Sequence, residues 1–168
     1  MSDRQDITLT VNGVPVRDNI EPRTTLLDFL RDQVGLTGTH AGCEHGVCGV
    51  CAVLVDGTPM RSCLLFAVQL HGAAVTTVEG LNQADGSLSP IQDAFCETHG
   101  MQCGYCTPGM LIAVHDLLAH NPDPDDEAIR EAIGGTLCRC TGYGQIIEAV
   151  RLAAARLRQA VPAEDIDQ

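Results

Sequence analysis

The sequence predicts an α+β protein in two parts, a small strand-rich unit over residues 1–80 followed by a helical bundle over residues 81–168. Three observations predict it. Apolar residues alternate with polar ones around turn dipeptides in the first half, they recur at helical spacing in the second, and each half holds a tight set of four cysteines.

In the first unit, ITLTV places Ile7, Leu9 and Val11 on one face of a strand. Asn12-Gly13 then signals a two-residue hairpin turn, and Val14 and Val16 continue on a second strand, where Pro15 suits a sheet edge. TLLDFLRDQVG predicts a helix: Thr25 caps it, Leu26, Leu27, Leu30 and Val34 form its apolar stripe, and Gly35 closes it. CAVLVDGTPMRSC reads as strand, Asp56-Gly57 turn and strand, LLFAVQL as a short helix, and AAVTTV as a last strand. EGLNQADGSL, residues 79–88, carries turn formers and no periodic apolar residues, as a linker would.

Four helices follow. Ser89-Pro90 begins the first, which runs to His99. Thr107 caps the second, with Pro108 at a position where a missing N–H costs nothing. Asp123-Pro124 opens the third, ended by Gly134-Gly135, and Tyr143, Ile146, Ile147, Val150, Ala154 and Leu157 mark the fourth.

The 168 residues suffice for one ordinary domain or two small ones, each near the size at which a core barely holds a fold unaided. Only 3% are aromatic and none is tryptophan, so the cores must be built from Leu, Val, Ile and Ala. A formal net charge of −12 opposes the attraction on which binding to nucleic acid or an anionic membrane rests. The opening MSDRQDITLT lacks the basic start and apolar run of a secretory signal, and no window approaches the roughly 18 apolar residues of a membrane span. These features predict a cytoplasmic protein, in which nine cysteines, an odd number, read as metal ligands or free thiols rather than a disulfide framework.

Cys43-x4-Cys48-x2-Cys51 has the three-ligand spacing of plant-type [2Fe-2S] proteins. Counting outward from the Asp56-Gly57 turn sets Cys63 opposite Val50, beside Cys51, as the fourth ligand. Gly42, Gly46 and Gly49 suit a loop that wraps an anionic cluster with close N–H approaches. A closed tetrahedral zinc site is the alternative, though the x4-x2 triple is unusual for zinc. The second set is Cys103-x2-Cys106 and, after 31 intervening residues, Cys138-x-Cys140. Cys106 and Cys140 each precede a predicted helix, whose N-terminal N–H groups favour an anion, but spacing alone leaves zinc and iron open here. Cys96, the ninth, reads as a buried free thiol on the apolar side of its helix beside Phe95. His45 lies in the first loop without a second histidine spaced for a Rieske-type site, and reads as a solvent-side residue.

The runs GCEHGVCGVCAVLVDG, RSC, QCGYCTPGM and LCRCTGY, in this order and spacing, closely resemble the small two-cluster iron-sulfur subunit of the molybdenum hydroxylases, the family of xanthine oxidase, aldehyde oxidase and carbon monoxide dehydrogenase. The resemblance spans roughly Ile7 to Leu157. It implies a ferredoxin-like β-grasp domain holding one [2Fe-2S] cluster on Cys43, Cys48, Cys51 and Cys63, then a four-helix-bundle domain holding a second on Cys103, Cys106, Cys138 and Cys140. It further implies a large partner subunit with a molybdenum-pterin cofactor, approached by Gln102 and Cys140, and a medium partner with FAD, towards which the first cluster lies. Such heterotrimers can themselves dimerise. The family commonly has Asn two residues before its CRC run, where this chain has Thr136, whose hydroxyl can still donate one hydrogen bond locally.

The implied role is electron transfer without substrate turnover by this chain alone: substrate oxidation at molybdenum releases two electrons, and each cluster carries one towards FAD. Two other classes compete, a freely diffusing ferredoxin, which the second set of cysteines disfavours, and a zinc-stabilised scaffold, which would be colourless.

Overall fold

The computed structural model describes residues 4–160, so residues 1–3 and 161–168, included in the predicted domain limits, lie outside the description. Strands β1 (Gln5–Val11) and β2 (Val14–Ile20) form the predicted hairpin, with Asn12 and Gly13 both at positive φ (49° and 80°) as a type I′ turn requires. Strands β3 (Ala52–Val55) and β4 (Thr58–Arg61) repeat the device at Asp56-Gly57. With β5 (Ala74–Thr76) they make one five-stranded sheet in the order β2-β1-β5-β3-β4, in which β1 and β5 are parallel. Pro15 does lie on the edge strand β2.

Thr25 caps α1 as expected, accepting the Asp28 N–H at 3.0 Å, but regular helix lasts only through Leu26–Asp28. Phe29–Gln33 widens into a π turn in which the Val34 N–H reaches the Phe29 carbonyl. Leu26, Phe29 and Leu30, at i, i+3 and i+4, enter the core beneath the sheet, whereas Leu27 is buried with Cys51 and Cys63. The predicted helix over LLFAVQL is shorter, a 3₁₀ turn over Ala67–Leu70.

The second half forms α2 (Pro90–Glu97), α3 (Thr107–His120), α4 (Asp126–Gly134) and α5 (Gly144–Ala160). Ser89 and Gln92 build a capping box for α2. Two caps differ from expectation. Cys106, not Thr107, stands at the N-cap of α3, and Asp125, not Asp123, caps α4 by accepting the Ala128 N–H at 2.9 Å. The Thr107 hydroxyl is left without a partner.

Strand β3 joins the two halves. Val53 and Val55 lie in the core shared with β1 and α1, while Ala52 and Leu54, on its other face, lie in the core with Phe95, Met110, Ile129 and Ile146. A short strand without polar alternation, AVLV, is what burial on both faces selects. The expected linker also differs at its start: Val78–Leu81 is a 3₁₀ turn, and Leu81 is buried in the helical core. No helix among the described residues is long and apolar enough to cross a membrane.

Asp126 at the start of α4 receives hydrogen bonds on both carboxylate oxygens from the Arg151 guanidinium of α5, which hold its carboxyl below the usual range. A depressed carboxyl stabilises the fold above its unfolded pKa and loses that contribution as pH falls through the folded value. Because both groups are exposed, Asp126→Asn is expected to lower Tm by at most a few degrees near neutral pH, and by less as the medium becomes acidic, measured by thermal melts across pH.

Candidate metal centres

The loop between α1 and β3 carries Cys43 and Cys48, and Cys51 stands directly before β3. Glu44, Gly46 and Gly49 adopt positive φ there (58°, 84° and 78°), folding the loop back so that the Cys48 N–H donates to the Cys43 sulfur at 3.3 Å. That bond, helped by His45, draws the Cys43 thiol down to about 6, poised as a thiolate. The hairpin brings Cys63 to Cys51, though not by strand pairing. The ladder ends at Ala52 and Arg61, Ser62 bonds the Cys51 carbonyl through both its N–H (3.2 Å) and its hydroxyl (2.7 Å), and a 3₁₀ turn over Ser62–Leu64 carries Cys63 inward. Burial, and then the neighbouring Cys51, push the Cys63 thiol up to about 11. His45 is exposed, as expected of a solvent-side residue.

In the second half, the sulfurs of Cys103 and Cys140 stand 3.5 Å apart, both exposed, and Gln102 is exposed beside them. Cys106 is buried at the N-terminus of α3, its thiol pushed up to about 12 by burial and then by Cys138. Burial also works against ionisation of Cys138, yet donors from Thr141 bring that thiol below its usual value. All eight thiols are free, and they stand in pairs: Cys43 with Cys48, Cys51 with Cys63, Cys103 with Cys140, Cys106 with Cys138. Among the described residues no three His, Cys, Asp or Glu side chains converge as they would on a single ion. A single zinc gathers four thiolates around one point, whereas a two-iron cluster takes two at each iron, so twofold pairing suits [2Fe-2S].

The two sets are held against each other. The Leu137 N–H donates to the Cys48 carbonyl at 2.8 Å, and the Arg61 guanidinium donates to the Gly135 carbonyl at 2.7 Å. The Tyr105 hydroxyl donates to the Ala41 carbonyl while its ring stacks on His40, centroids 4.8 Å apart. Thr136 is buried in this seam, and its hydroxyl finds no local protein partner, contrary to the expectation of one hydrogen bond. Among the described residues the buried hydroxyls without a partner are those of Thr39, Thr107 and Thr136, all within four residues of a paired cysteine. A buried donor left unmade costs about 1–3 kcal/mol, so unpaired hydroxyls beside both cysteine sets fit a group that would bring further acceptors there.

Residues 9–75 match the family described as "2Fe-2S iron-sulfur cluster binding domain", and residues 77–151 match "[2Fe-2S] binding domain". The chain is 53% identical to caffeine dehydrogenase subunit gamma of Pseudomonas sp. (strain CBB1), covering 86% of this chain and 88% of that one. It is 50% identical to the nicotine 6-hydroxylase small subunit of Paenarthrobacter nicotinovorans, covering 89% of each. The chain belongs to the small iron-sulfur subunits of molybdenum hydroxylases. A solved structure of quinoline 2-oxidoreductase from Pseudomonas putida 86 superposes on this small subunit with a TM-score of 0.89, at 49% identity, over 95% of this chain and 99% of that one.

Cys96 corrects an expectation. It is exposed, because Ile91, Ala94 and Phe95 take the buried face of α2 and leave the next position turned outward. Cys96→Ala is therefore expected to leave iron and sulfide content unchanged on chemical analysis, whereas loss of iron would place it among the ligands. Sequence reasoning missed Arg61, Tyr105 and Thr141. Each lies inside a cysteine-bearing run, but only contact with the other half, or the folded-back loop, gives it a task.

Proposed function

We propose that this small subunit passes electrons singly between the molybdenum-pterin site of a large subunit and the FAD of a medium subunit. The observation that carries this reading is two sets of four paired thiols in contacting loops, one in each matched family domain. Each [2Fe-2S] cluster, when bound, supplies a one-electron store.

The chain's own residues hold the stores. In this reading Cys43, Cys48, Cys51 and Cys63 ligate the first cluster within a β-grasp domain of residues 1–80. Cys103, Cys106, Cys138 and Cys140 ligate the second within a four-helix domain of residues 81–168. Support comes from the thiol pairing, and from N–H and hydroxyl donors already aimed at Cys43 and Cys138, which favour the thiolate forms a metal needs. Gln102 and Cys140 approach the pterin of the large subunit, a role their exposure on one edge permits. Cytoplasmic residence and pairing of two heterotrimers complete the reading, the former suited to nine cysteines in a reducing compartment.

The test is the iron, acid-labile sulfide and zinc content of the purified protein, with EPR of the dithionite-reduced sample. About four irons, four sulfides and two S = 1/2 signals are expected. One signal with about two irons and one zinc would overturn the second site. Co-purification of a flavin subunit and a molybdenum subunit tests the partners.

A further inference from the structure

The Thr141 oxygen lies 3.1 Å from the Cys138 sulfur and also accepts the Tyr143 N–H at 3.1 Å. A hydroxyl has one hydrogen. With Tyr143 donating to the oxygen, that hydrogen is free for the sulfur, and once Cys138 is deprotonated, as a metal ligand is, only Thr141 can donate.

The loop is clamped from its other side as well. The Tyr143 hydroxyl accepts the Cys138 N–H at 2.9 Å and donates to the Thr136 carbonyl at 3.2 Å, with Tyr143 itself at φ 67°. Cys138 is half-buried against the helical core, where water competes less for the sulfur. Its diagonal counterparts Cys103 and Cys140 are exposed, so the two ends of this thiol set differ in hydration and in donors.

We propose that Thr141 is a positioning residue that sets the reduction potential of the second cluster through its hydrogen bond to the Cys138 sulfur. The proposal rests on the reading that Cys103, Cys106, Cys138 and Cys140 hold a [2Fe-2S] cluster. Reduction by one electron adds negative charge that the sulfurs share, and a donor on sulfur stabilises the reduced form more than the oxidised one. Removing the donor therefore lowers the potential.

An EPR-monitored redox titration of the holoprotein tests this. Thr141→Val keeps the branched shape and deletes the hydroxyl, and is expected to shift the second cluster's reduction equilibrium about tenfold towards the oxidised form, about 59 mV for a one-electron couple. Thr141→Ser keeps the donor and should titrate as the unaltered protein does, and the first cluster's midpoint should be the same in all three. An unshifted second midpoint in Thr141→Val, or an equal shift of both clusters, would overturn the proposal. Should Thr141→Val and Thr141→Ala both fail to load the second cluster, the hydroxyl serves assembly rather than potential, and the proposal is again wrong. Absence of a second signal from the unaltered protein, where no substitution is involved, would instead overturn the cluster reading on which the proposal rests.

Discussion

Gly49→Ala is expected to remove both cluster signals at once, although Gly49 lies in the first loop only. Its φ of 78° is costly for any residue with a Cβ, by about 1–3 kcal/mol where the surroundings hold it. A methyl group there would collide with the Gly135 carbonyl oxygen and lie 2.8 Å from the Thr136 Cα, so backbone rather than a flexible side chain must yield. Yielding moves the strand of chain that leads into Cys138, and breaks the Leu137 bond to Cys48 and the Arg61 bond to Gly135. The neighbouring Gly109 of α3 adds to the constraint, since a Cβ on it would stand 2.5 Å from the Gly49 carbonyl, leaving that peptide no room to retreat. Together these terms consume several kcal/mol of a stability of about 5–15 kcal/mol, and local loss of both loops is the cheapest relief. Iron analysis and EPR of reduced Gly49→Ala check this. The control is Gly57→Ala, at φ 80° with nothing within 4 Å of the added methyl, which should lower Tm by a few degrees and keep both signals. Retention of both signals at normal intensity in Gly49→Ala would mean that the loops do not bear on each other there.

The thiol groupings that the structure brings together were legible in the sequence because close spacing is local. Three cysteines within nine residues must share a loop, and a two-residue turn at Asp56-Gly57 fixes by arithmetic which residues of β3 and β4 meet. The arithmetic stopped being exact where pairing stopped: Cys63 reaches Cys51 through a 3₁₀ turn, because Ser62 ties itself to the Cys51 carbonyl instead of continuing the ladder. Helices with periodic apolar stripes were equally readable. The seam between the halves was not, because no periodicity marks a residue that matters only when two surfaces meet. Arg61 and Tyr105 look like ordinary polar positions until Gly135 and Ala41 stand opposite them. Two signals were present in hindsight. The run AVLV lacks the alternation of a strand with one wet face, and Leu81 is apolar in a stretch otherwise full of turn formers. Cys96 failed for a related reason, since one residue of offset on a helix turns a side chain by about 100°.

Cys48→Ser is expected to remove the first cluster's signal and leave the second, with iron falling from about four atoms to about two. Cys138→Ser should do the reverse. The selectivity follows from which atoms join the two loops. Cys48 reaches the second half through its carbonyl, not its sulfur, and serine keeps that carbonyl where the Leu137 N–H can find it. Stability should behave differently from the spectra. A cluster's binding free energy is also folding free energy for the loop that wraps it, so losing the first cluster loosens the segment that leads into β3. That strand packs Ala52 and Leu54 into the helical core, so Cys48→Ser should lower the melting temperature of the helical half even while the second signal persists. Thermal melts followed by circular dichroism at a helical wavelength, beside EPR on the same sample, separate the two effects. Loss of both signals would mean that the Cys48 sulfur itself supports the second site, and an unchanged helical melt would mean that β3 does not carry the coupling.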